Sequence, residues 1–500
     1  MTNPPTLETA AVAAADEALR RALAGRPLVS AERFCASGRT TYASSRPVVA
    51  ARPTLALGCY PAWTHRADGP AMQAAAEQDT GVRGPAQRRT WMHALDRRAR
   101  ALLADLPAPP VIAAWYADDR LRAWAGRARG VVAAVDGRVR ALVEDKARFD
   151  ALLAAAGVPA RMRIPALRVD GRLPALVHLQ RAVGAERLVI QAGCDSGGRG
   201  TRFVSTAADL DRAGADLASP YRVAAFIEGW ASNVTVLNVP DGRGGVDVFV
   251  DRPSHKAVGV AEAGIGPAKS AGNDWSRPWP GRAATDLIEA AVQIGRWLWR
   301  RHRLAGLFGL DALLTPDGRV LLNEINCRKQ GTTETSAVNQ HLAGLPTFLV
   351  AHLTVLLGGQ VQWLPGAEAA NTATLEAATR GRPGPFYLKL RHRHAAPARL
   401  RGLAGPGVYQ LSAAGLRWLR AGATPADADA DTDAGEVLLA DLPAEHVLLL
   451  PGAELGTAEG MTCGTGSPFA GPHELSAFGR SLLTALSAQL SPEPTREVTP

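Results

Sequence analysis

Lysine is scarce in this 500-residue chain: Lys146, Lys256, Lys269, Lys329 and Lys389 stand against 51 arginines. Arginine evidently serves wherever a generic positive charge suffices, so a retained lysine marks a place that calls for a compact point charge. Cysteine is also sparse. Positions 35, 59, 194, 327 and 463 make neither a metal-ligand spacing nor a disulfide framework, and a reducing cytoplasm is the expected setting. Aromatic residues are 5% of the chain, and no basic cluster is interleaved with them. That excludes a stacking platform for single-stranded nucleic acid despite the net charge of +9. No run approaches the roughly 20 apolar residues of a membrane-spanning helix. The N-terminal AAVAAADEALRRALAG lacks the basic-then-apolar layout of a signal peptide and reads as an Ala-rich surface helix. A cytoplasmic enzyme is expected, with neither nucleic acid nor membrane as partner, and its moderate positive charge suits small anionic substrates.

The length exceeds one ordinary core, so several domains are expected. Residues 1–50 read as a helical extension. From about 52, strand-like and helix-like stretches alternate (PTLALGCYPA, then RTWMHALDRRARALLADLP, then PPVIAAWYADD), which predicts an α/β domain over 51–140. A central domain is expected over 141–365, opening on ARFDALLAAAG, a helix closed by Gly157 and stopped by Pro159. Residues 366–500 read as a separate small α+β domain. Within it, ADADADTDAGE is a solvated acidic insertion, and LKLRHRH (388–394) reads as an exposed basic strand that could otherwise hold a peptide carboxylate.

The segment DALLTPDGRVLLNEIN (311–326) is a β-hairpin by local rules: two apolar runs flank a Pro-Asp-Gly turn signal. Each run carries an acid, Asp311 and Glu324, and Asn326 follows. With an even-length loop these three share a face together with Leu313 and Leu322; a three-residue bulged turn would separate them. Like charges that close destabilise a sheet unless something positive lies between them. Three converging oxygen donors suit Mg²⁺, which is held by one or two carboxylates plus substrate phosphates. Upstream, the strand RLVI leads into QAGCDSGGRGTRFVS (191–205), where Gly197, Gly198 and Gly200 permit close approach to phosphate oxygens, with Ser196 and Thr201 as further donors. The loop is neither a P-loop nor a dinucleotide fingerprint. In FIEG (226–229) an apolar strand ends in Glu228, an acceptor suited to ribose hydroxyls.

Asp-Lys at 145–146, AGVP at 156–159, the SGGRGT loop, FIEG and the Asp311/Glu324/Asn326 spacing together resemble the ATP-grasp superfamily of carboxylate–amine ligases over about 140–335. The resemblance implies two α+β subdomains clasping ATP, an N-terminal α/β domain before them and a small C-terminal domain. It implies ATP and Mg²⁺ as cofactors, an acyl phosphate made from a carboxylic acid donor, and its capture by an amino acid or peptide amine. Carried over, Lys146 touches the nucleotide phosphates, Gly197 to Thr201 cover them, and Glu228 faces the ribose. Two positions depart from the pattern. Gln191 stands where members commonly hold a second nucleotide lysine, and Gly309 where the D-alanine–D-alanine ligases hold an arginine. NCRKQGTTET resembles the biotin-carboxylase-like arrangement, which makes Arg328 the cation for the acyl phosphate. Lys256 and Lys269 fall where such ligases place a mobile substrate-covering loop, and Lys256 is the candidate for the γ-phosphate. The extra terminal domains and SHKAVGV…AGND look like the pheganomycin-type peptide ligases of natural-product biosynthesis. A superfamily carboxylase or ligase acting on a small acid, and a nucleotide-binding regulator that has lost catalysis, are the alternatives. Homo-oligomerisation is compatible with the sequence.

Overall fold

The computed structural model describes residues 9–31, 48–60, 72–85, 88–195, 197–381, 383–422, 424–428, 435–462 and 466–493. Ser196, Cys35, Cys463 and most of the ADADADTDAGE stretch lie outside them. No helix among the described residues is long and apolar enough to cross a membrane.

The α/β class is as expected. An N-terminal five-stranded parallel sheet runs Met72–Ala75, Leu55–Gly58, Leu28–Ala31, Val111–Ala114, Val131–Ala133. Its middle strand, Leu28–Ala31, comes from residues expected to be a helical extension, so that stretch is part of this sheet instead. The predicted surface helix forms over Thr9–Leu23, yet its Ala15, Leu19 and Leu23 are buried against Val350 and Leu353. Ligands of open parallel sheets sit beyond the carboxyl ends of the strands. Here those ends deliver Tyr60 and Trp115 to the central cleft.

Two α+β lobes form the walls of that cleft. The smaller has a four-stranded antiparallel sheet in the order Ala166–Val169, Tyr221–Ala225, Leu188–Ala192, Thr201–Val204. The larger is built on a long antiparallel sheet whose path begins Val320–Asn326, Gly306–Leu314, Trp230–Pro240, Ser254–Val258, Ser270–Asp274. Helix Gly281–His302 covers its back, burying Ala283, Leu287, Ala291, Ile294 and Leu298 against Val234, Val236 and Phe308. Those positions recur every three or four residues, the stripe of a core-facing helix.

The same sheet does not stop at residue 365. Strand Gly384–Arg391 pairs with Ser270–Asp274, and Glu454–Thr462 pairs with Gly384–Arg391 in turn. The expectation of a separate C-terminal domain is corrected: its strands extend the cleft's own sheet by long-range hydrogen bonds that no local pattern reveals. Arg83 fastens this extension to the N-terminal domain. It is fully buried on Glu77 and donates to the carbonyl oxygens of Asp441, at 2.7 Å, and Glu454, at 3.1 Å.

One buried acid makes stability depend on pH. Asp251 accepts from Ser336 and from Gln340 Nε2 at 3.1 Å, tying helix Thr333–Leu342 to the sheet. Burial pushes its carboxyl up to about 6, against the pull of these hydrogen bonds. A raised carboxyl favours the folded state while protonated, so this contribution is complete below about pH 4 and lost as pH rises through 6. Asp251→Asn should therefore gain on the wild type by about 3 kcal/mol between pH 4 and 7, measured by denaturant unfolding. A gap that does not change with pH would rule this out.

Candidate active site

Strands Gly306–Leu314 and Val320–Asn326 form the expected hairpin, but not with an even-length loop. Thr315 and Arg319 close a three-residue turn, Pro316-Asp317-Gly318, with Gly318 at φ +79°. Alone this would have thrown the acids onto opposite faces. A second irregularity compensates: Asn323 bulges, and the register shifts between Asp311 and Ala312 so that Asp311 pairs directly with Glu324. The expectation of an even-length turn is thus corrected, while the shared face of Asp311, Glu324 and Asn326 stands. Leu322 is corrected with it: it packs into the core behind the sheet, and Leu321 joins Leu313 on the smaller lobe's side.

Each acid is met by a lysine. Lys256 Nζ lies 2.7 Å from Asp311 Oδ2, and Lys146 Nζ lies 2.8 Å from Glu324 Oε1. Asn233, on the neighbouring strand, donates to Asp311 Oδ1 at 2.6 Å. Asn326 Oδ1 accepts from Arg328 Nη2 at 2.8 Å. Two carboxylates and an amide oxygen are hard donors that fit Mg²⁺, the remaining ligands coming from phosphate and water. No group of three His, Cys, Asp or Glu side chains among the described residues is placed to hold a metal, so softer-ligand sites have no counterpart there.

Lys146 also donates to the carbonyl of Asp195 at 2.7 Å, joining the glycine-rich loop to the hairpin across the cleft. Gly197 and Gly198 have φ of +67° and +74°. A Cβ on Gly198 would also collide with the carbonyl of Ala268, so the loop touches the opposite wall as only glycine permits. Gln191 is buried, donates to Thr201 at 3.5 Å and accepts from Arg222 at 3.2 Å. Arg222 is itself buried and grips Asp150 through Nε and Nη2 at 2.8 and 3.1 Å. The charge absent at Gln191 is thus present one strand away. Its signal in the sequence is an arginine inside the apolar strand YRVAA. Glu228 lies exposed on the rim, paired with Arg187 at 3.4 Å, and Arg187 stacks on Phe226.

Lys256 does not sit on a mobile loop. It belongs to strand Ser254–Val258, hydrogen-bonded on both sides, and only Lys269 lies on the exposed turn that follows. Gly309 leaves room for the side chain of Gln330, which accepts from Asn233 at 3.2 Å; an arginine there would clash with it. Arg328 is anchored by Glu144 at 3.1 Å and lies over the Trp115 ring at 5.6 Å. Burial raises the Glu144 carboxyl, opposed by the charges of Arg328 and Arg140. Cys327, next to Arg328 in the chain, is buried with its thiol pushed up, which rules it out as a nucleophile. A single cavity of about 1170 Å³ is lined by the predicted site residues that the structure describes, from Lys146 to Arg328; Ser196 lies outside the described residues.

No protein-family model matches the chain, and no curated protein matches its sequence. Among solved structures, it is similar to carboxyaminoimidazole ribonucleotide synthase from Aspergillus clavatus complexed with ATP, with 14% identity, 88% of this chain and 94% of that one covered, and a TM-score of 0.49. It is also similar to biotin carboxylase from Campylobacter jejuni (13% identity, 90% and 85% covered, TM-score 0.48). A third is D-alanyl-alanine synthetase A from Vibrio cholerae (16% identity, 50% and 76% covered, TM-score 0.38). Likeness this slight carries nothing about chemistry, which must come from the cleft itself.

Proposed function

We propose that the chain is an ATP-dependent ligase of the ATP-grasp kind, which activates a carboxylate as its acyl phosphate and joins it to an amine. The observation that carries this is the opposed Asp311–Glu324 pair, neutralised by Lys256 and Lys146, facing a glycine-rich loop across one cleft. Lys146 and Arg222 are the cations for the nucleotide's phosphates, with Gln191 and Thr201 as hydrogen-bonding partners and Gly197, Gly198 and Gly200 as the cover. Glu228 accepts from the ribose hydroxyls. Mg²⁺ on Asp311, Glu324 and Asn326 would offset charge on the transferring phosphoryl group.

Lys256 holds Asp311 in place and presents its ammonium to the γ-phosphate. The donor carboxylate attacks that phosphorus; the bond to the bridging oxygen breaks and ADP leaves. The amine then attacks the acyl carbon, the C–N bond forms, and the C–O bond to phosphate breaks as the nitrogen loses a proton. Negative charge grows on the carbonyl oxygen in that second step, and Arg328, held rigid by Glu144 and Asn326, is the fixed charge that meets it. Amide formation in peptide natural-product assembly is the finer reading favoured by the pheganomycin-like segments.

Screening amino acids and short peptides for nucleotide turnover tests the proposal. ADP with orthophosphate, dependent on both an acid and an amine, is expected. AMP with pyrophosphate would mean adenylation and overturn it.

A further inference from the structure

The cleft's floor continues beyond the carboxylates. One face of the long antiparallel sheet carries, strand after strand, Glu324, Asp311, Asn233, then Lys256, Asn273, Tyr387 and Glu459, through the pairings Asp311–Glu324, Asn233–Asp311, Lys256–Asn273, Asn273–Tyr387 and Tyr387–Glu459. Lys389 rises from this face two residues beyond Tyr387, opposite Thr457, and lines the cleft. It is half-buried, not the exposed basic strand residue expected from LKLRHRH.

Its neighbours are already engaged. Glu454 pairs with Arg391 at 3.6 Å, and Glu459 accepts from Thr457 at 2.8 Å. Lys146 and Lys256 are each locked to a carboxylate, whereas Lys389 makes no hydrogen bond or ion pair among the described residues. Beside it, Arg391 Nε is buried and has no hydrogen-bond partner among the described residues. Burial holds the Lys389 ammonium below its ordinary range, with Arg391 and Lys256 acting the same way and Glu454 opposing. A bound anion would relieve that. From Lys256, two strand spacings across and two residues along amount to about 12 Å. A free amino acid is too short to bridge this, but three or four extended residues at ~3.3–3.6 Å each do so.

We propose that Lys389, with Arg391, anchors the terminal carboxylate of a short-peptide substrate whose amino end reaches the reaction centre between Lys256 and Arg328. The orientation of the peptide rests on the ligase reading; the anchor does not.

The test is calorimetric binding of a library of free-acid tripeptides and their C-terminal amides to the full chain. Wild type should bind a free acid at least tenfold more tightly than its amide. Lys389→Met should erase that preference, and Lys389→Arg should keep it, with thermal melting as the check on folding. Absence of an acid preference in wild type, or its survival in Lys389→Met, overturns the anchor. If acid and amine elicit no ADP release while Lys389→Met still erases the preference, the ligase reading falls and the anchor stands. If ADP and phosphate form but Lys389 plays no part in carboxylate preference, the anchor falls and the ligase reading stands.

Discussion

Glu324→Gln should reduce ATP turnover by at least about a hundredfold while leaving the fold in place. The acid serves charge rather than packing. Its side chain is 20% exposed and, among the described residues, accepts a hydrogen bond from Lys146, a role the amide oxygen of glutamine can keep. What changes is electrostatic. The unsubstituted pair presents two carboxylates in direct register, each balanced by a lysine, and together they are the charged oxygen donors a divalent cation needs. With a single charge left on Asp311, already matched by Lys256, little is left to hold Mg²⁺ against water. Melting within a few degrees of wild type together with lost turnover is the expected pair of results. Full activity in the variant would sink the metal assignment.

Arg328→Ala should lower ligation by about a hundredfold or more while nucleotide affinity changes little, because in the proposed mechanism the guanidinium meets charge that develops only after the phosphate has been transferred. The structure adds a complication. Arg328 is also the partner of buried Glu144, so its removal leaves that acid to Arg140 alone and costs stability. Arg328→Lys separates the two effects. It keeps a charge opposite Glu144 and hence the fold, but not a planar fork that can hold Glu144 and Asn326 while facing substrate. Ligation lost in both variants, with stability lost mainly in the alanine, supports the assigned role. Equal losses of nucleotide binding and ligation would reject it.

The local elements were legible in the sequence because their causes are local. Apolar spacing places helix Gly281–His302, and positive-φ glycine with a following proline ends the helix at Gly157. The Pro-Asp-Gly signal makes a hairpin, and residue spacing alone puts its acids within reach of each other. Every predicted ligand and cation lines one cleft for the same reason: oxygen donors, glycines and lysines this unusual in their surroundings carry their chemistry in their identity.

The tertiary structure decided what depends on partners far along the chain. The odd-length turn would have split the acids, and only the bulge at Asn323 restores their face, a matter of register that turn residues do not encode. Lys256 became a strand residue because its strand pairs on both sides, opposite Ala231 and Asn273, and the charge absent at Gln191 is supplied by Arg222 across a strand pair. The largest departure is the C-terminal region. Hydrophobic pattern shows that a stretch wants to be a strand, but not which edge it will join. Pairing with Ser270–Asp274 carried Gly384–Arg391 onto the cleft's own sheet, and so brought Lys389 to the same face as the acids. Which face a side chain occupies follows from sequence, whereas which cleft that face lines follows from the strand it finds.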